Sequence, residues 1–456
     1  KKFEERYFHY ENMAKSGLIK KFKIIEATKL WKKMIQSIFE TGHPWLTWKD
    51  SFNVRSPQDH DGVIHNTNLC TEIGENNKPS IIKDRFSNKY IQKFLSWFGL
   101  DKKTELGETA VCNLGSFNLV KFVDSNGRFD YHKLKNAISI AVRMSDNVIV
   151  LNYYPVPEAE NSNFKHRPIG LGVMGLQDAL FEMNINFEDS LEFNDELMEF
   201  ISFWSIDSSA NLAKERGKYK TFKGSKWDRG IFPFDTIKLL EKERGTPINV
   251  NRISRMPWQG MKNKVKKHGM RNSLLLAIAP TATISTIVGS LGPCMEPIYS
   301  NIFAESNISG EFTVVNEYLV KDLKNYNLWN KETLDLIKFN NGSVQNIDFI
   351  PQDIKNKYKD VFEMDVFKII DINAVRSKWI DQSQSFNIFY KGNSGSVLSD
   401  IYMYCFEKGL KSTYYLRTLG VSQIEKSTLD INKFGSTSKR EVKVCKINDP
   451  TCEACQ

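Results

Sequence analysis

The sequence predicts an α/β fold, and three observations carry that prediction. Apolar residues recur at helical spacing in several separated segments, and a short unbroken apolar run lies among them. No internal repeat or low-complexity tract occurs before residue 419, which removes solenoids and propellers. The 456 residues are 41% apolar and 12% aromatic. That is ample for a core and excludes both a small stapled module and a disordered chain.

The first predicted helix runs from about Thr28 to Phe39 and closes at Gly42. Val123 to Phe129 reads as a hairpin in which Asn126-Gly127 supplies the positive φ angles of a tight turn. A helix opening at Asp130 shows Leu134, Ala137, Ile138, Ala141 and Val148 and ends before Pro155. Another is capped by Asn194, presents Leu197, Phe200, Ile201, Trp204 and Leu212, and stops at Gly217. Leu274 to Ala279 shows no alternation, the pattern of a strand covered on both faces. From about Gly420 the chain becomes rich in Ser, Thr and Lys and reads as a flexible tail.

Lys and Arg total 63 against 54 Asp and Glu, giving a charge of +9 spread along the chain. This suits an enzyme acting on anionic metabolites. There is no aromatic-interleaved basic stripe, so nucleic acid is not an expected partner. A mean hydropathy of −0.41 and the lack of an apolar run near the roughly 20 residues that span a bilayer argue against a membrane protein. Lys1 to Tyr10 lack the apolar stretch of a secretory signal, and seven cysteines is an odd, modest count. A reducing, cytoplasmic setting is therefore expected. A start at Lys1 rather than Met suggests that sequence is missing upstream.

Several short motifs could carry chemistry. Asn68-Leu69-Cys70-Thr71-Glu72 places an amide, a thiol and a carboxylate at alternate positions, which in an extended segment face one way. The plain alternative is a solvated strand face. Pro280-Thr281-Ala282-Thr283-Ile284 follows the buried strand, where hydroxyls and free N–H groups at a helix start would seat a phosphate or merely cap the helix. Gly170-Leu171-Gly172-Val173-Met174-Gly175 matches GxGxxG, but His166 to Ile169 makes a poor first strand. Close packing is preferred over dinucleotide binding there, although Glu188 follows at some distance. Tyr414 and Tyr415 adjoin, yet neighbours on a regular strand point to opposite faces and would not stack. Cys452 and Cys455 form a terminal CxxC, read as a redox pair rather than, with Cys445, as zinc ligands. Cys112, Cys294 and Cys405 read as buried thiols when taken alone.

Taken in order, Asn-x-Cys-x-Glu at 68 to 72, Val-Cys-Asn-Leu around Cys112, Pro-Thr-Ala-Thr at 280, Tyr414-Tyr415 and the terminal CxxC resemble the large, catalytic subunit of class I ribonucleotide reductase. His268 to Ser273, Met295-Glu296-Pro297, Gly310-Glu311-Phe312 and Ile380 to Ser383 add to the resemblance, which covers nearly the whole chain.

The resemblance implies that Cys70 becomes a thiyl radical and takes the 3′ hydrogen of a ribonucleoside diphosphate. Glu72 would act as base at the 3′ hydroxyl, and Asn68 would bond the substrate. It further implies that Cys112 is one of two reducing cysteines, and the family's other one lies upstream of the radical cysteine. No cysteine precedes Cys70, so half of the pair is expected on sequence outside the chain. Leu114, Pro280, Thr281, Ala282, Thr283 and Ile284 take the substrate-binding positions, with backbone N–H groups as the donors at Ala282 and Ile284.

Tyr414 and Tyr415 would relay the radical from a metal-containing small subunit, no cofactor being bound by the chain itself, and Cys452 and Cys455 would pass electrons from thioredoxin or glutaredoxin. Nucleotide effectors (ATP and dNTPs) would bind mainly the amino-terminal portion, itself an expected partner. The implied fold is the second half of a ten-stranded α/β barrel with its finger loop over 1–310, an α+β region over 311–419 and a redox tail over 420–456. Two rivals remain: an adenosylcobalamin-dependent reductase, which needs no tyrosine relay, and a nucleotide-binding fragment inert until joined to its other half.

Overall fold

The computed structural model describes residues 2–307 and 310–418. The predicted tail, with Cys445, Cys452 and Cys455, lies outside the described residues. At the centre is a run of parallel segments. Leu114–Asn118 pairs with Gly170–Met174 in parallel register, Leu114 opposite Gly170 and Asn118 opposite Met174. On the other side of Gly170–Met174 lies 274–279: Ile169 N and Leu171 N donate to Leu274 O and Leu275 O, and Ala277 N donates back to Leu171 O. Residues 382–385 come next, with Ile278 N donating to Ser383 O at 3.0 Å and Ser385 N to Ile278 O at 2.8 Å. Ile388–Phe389 then pairs in parallel with Leu416–Arg417. Helices cover the connections, as an α/β fold requires. Among the described residues this run does not close into a barrel.

The predicted strand at 274–279 is buried as expected, but it is held by isolated bridges rather than a continuous ladder. The cause is Asp381, whose carboxylate accepts from Leu275 N at 2.7 Å and Leu276 N at 2.8 Å and so takes the place of a neighbouring strand's carbonyls. Lys411 reaches the same turn and donates to Ile380 O at 3.1 Å and Asp381 O at 2.5 Å.

The helices follow their sequence signals with two exceptions. Ala27–Thr41 ends at Gly42 with φ 73°, and Tyr131–Leu151 starts on Asp130, whose carboxylate accepts from Lys133 N. The long helix is Leu191–Arg216, closed at Gly217, but Asn194 does not cap it. Asn194 is fully buried within the first turn, donating to Ser190 O and accepting from Arg376 Nη1 at 2.9 Å. Val148 is on the exposed side of its helix. The hairpin at 123–129 forms, though only Gly127 takes a positive φ. Asp124 replaces the second left-handed residue by accepting from Asn126 N and Arg128 N.

GxGxxG falls inside the strand Gly170–Met174 rather than in a turn after it. Its glycines serve close packing: a Cβ on Gly172 would lie 2.7 Å from Ala277 O, and one on Gly170 would lie 2.7 Å from Leu114 Cδ2. Glu188 is engaged by Lys359 and Asp365 N. The main core gathers around this sheet. A second core holds Phe181, Ile298, Leu319, Leu323, Ile337 and Tyr358. No helix among the described residues is long and apolar enough to cross a membrane.

Gly172→Ala should destabilise the protein by about 1–3 kcal/mol, because a backbone carbonyl cannot give way to the added carbon. Urea titration should show a lower midpoint with an unchanged slope.

Candidate active site

Asn68 to Glu72 is a turn, not the extended segment the alternating pattern suggested. Thr71 N donates to Asn68 O at 3.2 Å, and Thr71 has φ 69°. A left-handed conformation costs a β-branched residue roughly 1–2 kcal/mol, so the surroundings must impose it. Ser412 Oγ donates to Thr71 O at 3.0 Å, and Thr71 Oγ1 donates to Thr413 O at 3.3 Å. Ser385 Oγ donates to Cys70 O at 2.6 Å and approaches Glu72 Oε2 at 3.0 Å, while Ser383 N donates to Glu72 O at 2.9 Å. The turn buries Thr71 and Glu72 and leaves Cys70 half-buried. Asn68 Oδ1 accepts from Ile73 N, bracing the loop from within.

The tyrosine pair meets this turn. Tyr414 Oη donates to Cys70 Sγ at 3.5 Å. The rings of Tyr414 and Tyr415 sit edge to face with centroids 4.4 Å apart, so the expectation that they could not stack is overturned. They lie just ahead of the short strand Leu416–Arg417, and irregular backbone there removes the alternation of faces. Trp45 packs against both, at 5.0 Å from Tyr414 and 5.2 Å from Tyr415. His43 lies 5.0 Å from Tyr415, and the Arg417 guanidinium sits 4.4 Å over the same ring. Nothing in the local sequence marks His43 or Trp45, because their partners stand some 370 positions away.

Electrostatics keep the protons in place. Burial pushes the Cys70 thiol above its ordinary value, Tyr414's hydrogen bond pulls it down, and Glu72 pushes it up. The Tyr414 hydroxyl is held far above the tyrosine range, by burial first and then by Cys70. Both groups are therefore protonated at neutral pH, which suits hydrogen-atom transfer rather than thiolate attack.

Cys112 is exposed, against the buried reading its apolar neighbours invited. It enters the strand Leu114–Asn118 from an irregular stretch, and Leu114 is itself exposed. The thiol's near surroundings are nonetheless crowded and acidic: it is pushed up to about 12 by partial burial and then by Glu75, Glu72 and Cys70. Those four groups form one neighbourhood. Cys294 and Cys405 are buried, as read.

Pro280 to Ile284 stands at the carboxyl end of 274–279, the end at which α/β sheets bind ligands. Thr281 has φ 53° and precedes the helix Ala282–Ile287. It does not cap that helix; its Oγ1 accepts from Cys294 N at 2.7 Å. Ala282, Thr283 and Ile284 are exposed. Cys294 stands within the influence of Glu72, which ties this loop to the thiol neighbourhood. Elsewhere, Asp61, Glu108 and His166 converge, but Lys165 and Lys78 pair with the two acids; against the upward push of burial, Lys78, His166 and Lys165 hold Asp61 low, and His166 and Lys165 hold Glu108 low.

An α/β scaffold thus holds a protonated thiol against a tyrosine pair, with a carboxylate beside it. The family model "Ribonucleotide reductase, barrel domain" matches residues 1–416. The chain is 44% identical over 472 residues to the ribonucleoside-diphosphate reductase subunit alpha of Chlamydia pneumoniae, covering 100% of this chain and 42% of that protein. It is 38% identical to the ribonucleoside-diphosphate reductase large chain of Schizosaccharomyces pombe, covering 89% of this chain and 46% of that one. Among solved structures it resembles the Actinobacillus ureae class Id ribonucleotide reductase alpha subunit, with a TM-score of 0.61, 26% identity, and coverage of 86% of this chain and 61% of that one. The chain belongs to the ribonucleotide reductase barrel-domain family, and it spans less than half the length of the two relatives named from sequence.

Tyr414→Phe removes the bond that lowers the Cys70 thiol, so alkylation of Cys70 by iodoacetamide at pH 8 to 9 should slow. Glu72→Gln removes the charge that raises it, so alkylation should quicken. The rate at fixed pH, with the modified cysteine located by mass spectrometry, checks both signs.

Proposed function

We propose that the chain is the catalytic portion of a class I ribonucleoside-diphosphate reductase large subunit, acting on ribonucleoside diphosphates to give 2′-deoxyribonucleoside diphosphates. The observation that carries this reading is the 3.5 Å contact between Tyr414 Oη and Cys70 Sγ, backed by the ring of Tyr415. An electron leaving Cys70 through Tyr414 and Tyr415 toward a small subunit, with the thiol proton passed along the hydrogen bond, converts Cys70 to a thiyl radical. That radical takes the 3′ hydrogen atom while Glu72 accepts the 3′ hydroxyl proton and Asn68 orients the ribose. The 2′ hydroxyl leaves as water, with two electrons drawn from Cys112 and a second cysteine on sequence outside this chain.

In this reading the first turn of Ala282–Ile287 receives the diphosphate through backbone N–H groups. Trp45 and His43 hold the tyrosine pair in register. Cys452 and Cys455 carry electrons from thioredoxin or glutaredoxin. The parallel run is one part of a ten-stranded barrel completed by the amino-terminal portion, and the enzyme works in the cytoplasm. The tyrosine pair favours this reading over a cobalamin-dependent reductase, which would need no such relay.

In the complete large subunit with its small subunit, Cys70→Ser should abolish deoxynucleotide formation and leave nucleoside diphosphate binding intact. Retained turnover would refute the assignment, and so would turnover supported by adenosylcobalamin alone. Replacing Cys452 and Cys455 by Ser should spare turnover driven by a small dithiol and remove turnover driven by thioredoxin. Loss with both reductants would speak against a shuttle.

A further inference from the structure

Glu75 is a buried carboxylic acid that none of the steps above uses. It lies three residues beyond Glu72 on the same loop and accepts a hydrogen bond from the N–H of Val111, the residue that precedes Cys112. It is also the strongest negative neighbour of the Cys112 thiol. One side of Glu75 therefore faces a reducing cysteine.

Glu75 also lines a small pocket in which Gln58, Asn76, His166 and Ser273 are set among apolar atoms of Pro168 and Leu274. Two buried atoms from residues on its wall, Asn76 Oδ1 and Ser273 Oγ, have no hydrogen-bond partner within the protein. From this pocket a chain of polar groups leads outward. It starts at His166, which is itself on the pocket wall and is steadied by Gln58 Nε2 at 3.2 Å from its Nδ1, and His166 Nε2 stands 2.8 Å from Glu108 Oε2. Glu108 is paired with Lys165, which is 26% exposed and reaches solvent. Asp61 and Lys78 close the outer end. The charged and titratable groups around Glu75 are thus Cys112 and Glu72 on one side and His166, with Glu108, Asp61, Lys165 and Lys78 behind it, on the other.

We propose that Glu75 is the acid that returns a proton to Cys112 each time the active-site disulfide is reduced, and that the pocket and the His166 chain recharge it from solvent. The proposal rests on the reading of Cys112 as a reducing cysteine. When a dithiol reduces the disulfide, its thiolate attacks the partner sulfur, the old S–S bond breaks, and Cys112 leaves as a thiolate. The dithiol's second thiol then resolves the mixed disulfide, so two electrons pass from dithiol to enzyme. Cys112 still needs one proton. With its thiol pushed up to about 12, the thiolate is a strong base in this acidic corner. Glu75, pushed up to about 8 by burial, holds a proton at neutral pH and is tied to the N–H of Val111, the residue before Cys112. After the transfer the carboxylate is left, and the outward chain delivers its replacement.

The test uses the complete large subunit with its small subunit. Glu75→Gln keeps the shape and removes the acid, and Glu75→Asp restores one. Steady-state deoxynucleotide formation by Glu75→Gln should fall at least about tenfold with either thioredoxin or a small dithiol. That loss should exceed any fall in the yield of a single turnover by pre-reduced enzyme, and Glu75→Asp should recover part of it. At pH 9, where Glu75 is ionised, the Glu75→Gln variant should alkylate at Cys112 at least about threefold faster than the unaltered protein, since a negative neighbour has gone.

Unchanged steady-state turnover, or equal losses in single and multiple turnovers, would overturn the proposal. So would an unchanged alkylation rate at pH 9. The alkylation measurement needs no turnover, so it decides the Glu75 to Cys112 coupling even if the Cys70→Ser result were to defeat the reductase reading.

Discussion

The site depends on holding Thr71 in a conformation its side chain disfavours. A left-handed, β-branched residue between the thiol and the carboxylate turns Cys70 and Glu72 toward one space, and the local bonds through Asn68 are joined by distant ones in keeping it there. The distant restraint comes from hydroxyls and backbone carried by two segments, Ser383 to Ser385 and Ser412 to Thr413. These same segments are neighbours in the parallel run, so the sheet's registration and the loop's conformation are a single constraint. A sheet whose strands slipped by one residue would release the turn.

A second buried arrangement fixes that registration. Asp381 and Lys411 stand together at the turn ahead of 382–385, the carboxylate binding Leu275 N and Leu276 N and the ammonium binding the carbonyls around itself. Burial raises the Asp381 carboxyl and lowers the Lys411 amine. Backbone N–H groups and carbonyls satisfy the two side chains. The polar groups here locate three segments relative to one another, and the apolar residues of Leu274 to Ile278 fill the space between helices.

Much of this was legible in the sequence, for reasons that differ by residue. Helix ends at Gly42, Asp130 and Gly217 announce themselves because caps are local chemistry. The association of Cys70, Glu72, Cys112 and Tyr414 could be foreseen from motif order, but not from spacing. What escaped was nonlocal. Asn194 has a capping side chain, yet its carbonyl accepts from Arg376, 182 positions away, and it is drawn into the core. Cys112 sits among Ala, Val and Leu and still faces outward, since its strand begins only at Leu114. Thr71 carries no signal of a left-handed backbone, and the alternation of polar residues around it imitated a strand. Trp45 and Glu75 are ordinary residues until the fold sets them beside the tyrosine pair and the Cys112 strand.

The clasp on Thr71 also imposes an order of assembly. Ser412 meets Thr71 across 341 positions, and Tyr414 meets Cys70 across 344. During synthesis the thiol loop precedes its distant partners Ser385 and Ser412 by 315 and 341 positions. Closing such a loop carries an entropic cost that only the finished sheet repays. A nascent chain therefore carries the Cys70 loop unclasped until the 383–385 and 412–414 segments have followed it, and the hydroxyls, the tyrosine pair and the thiol are brought together in one closing step.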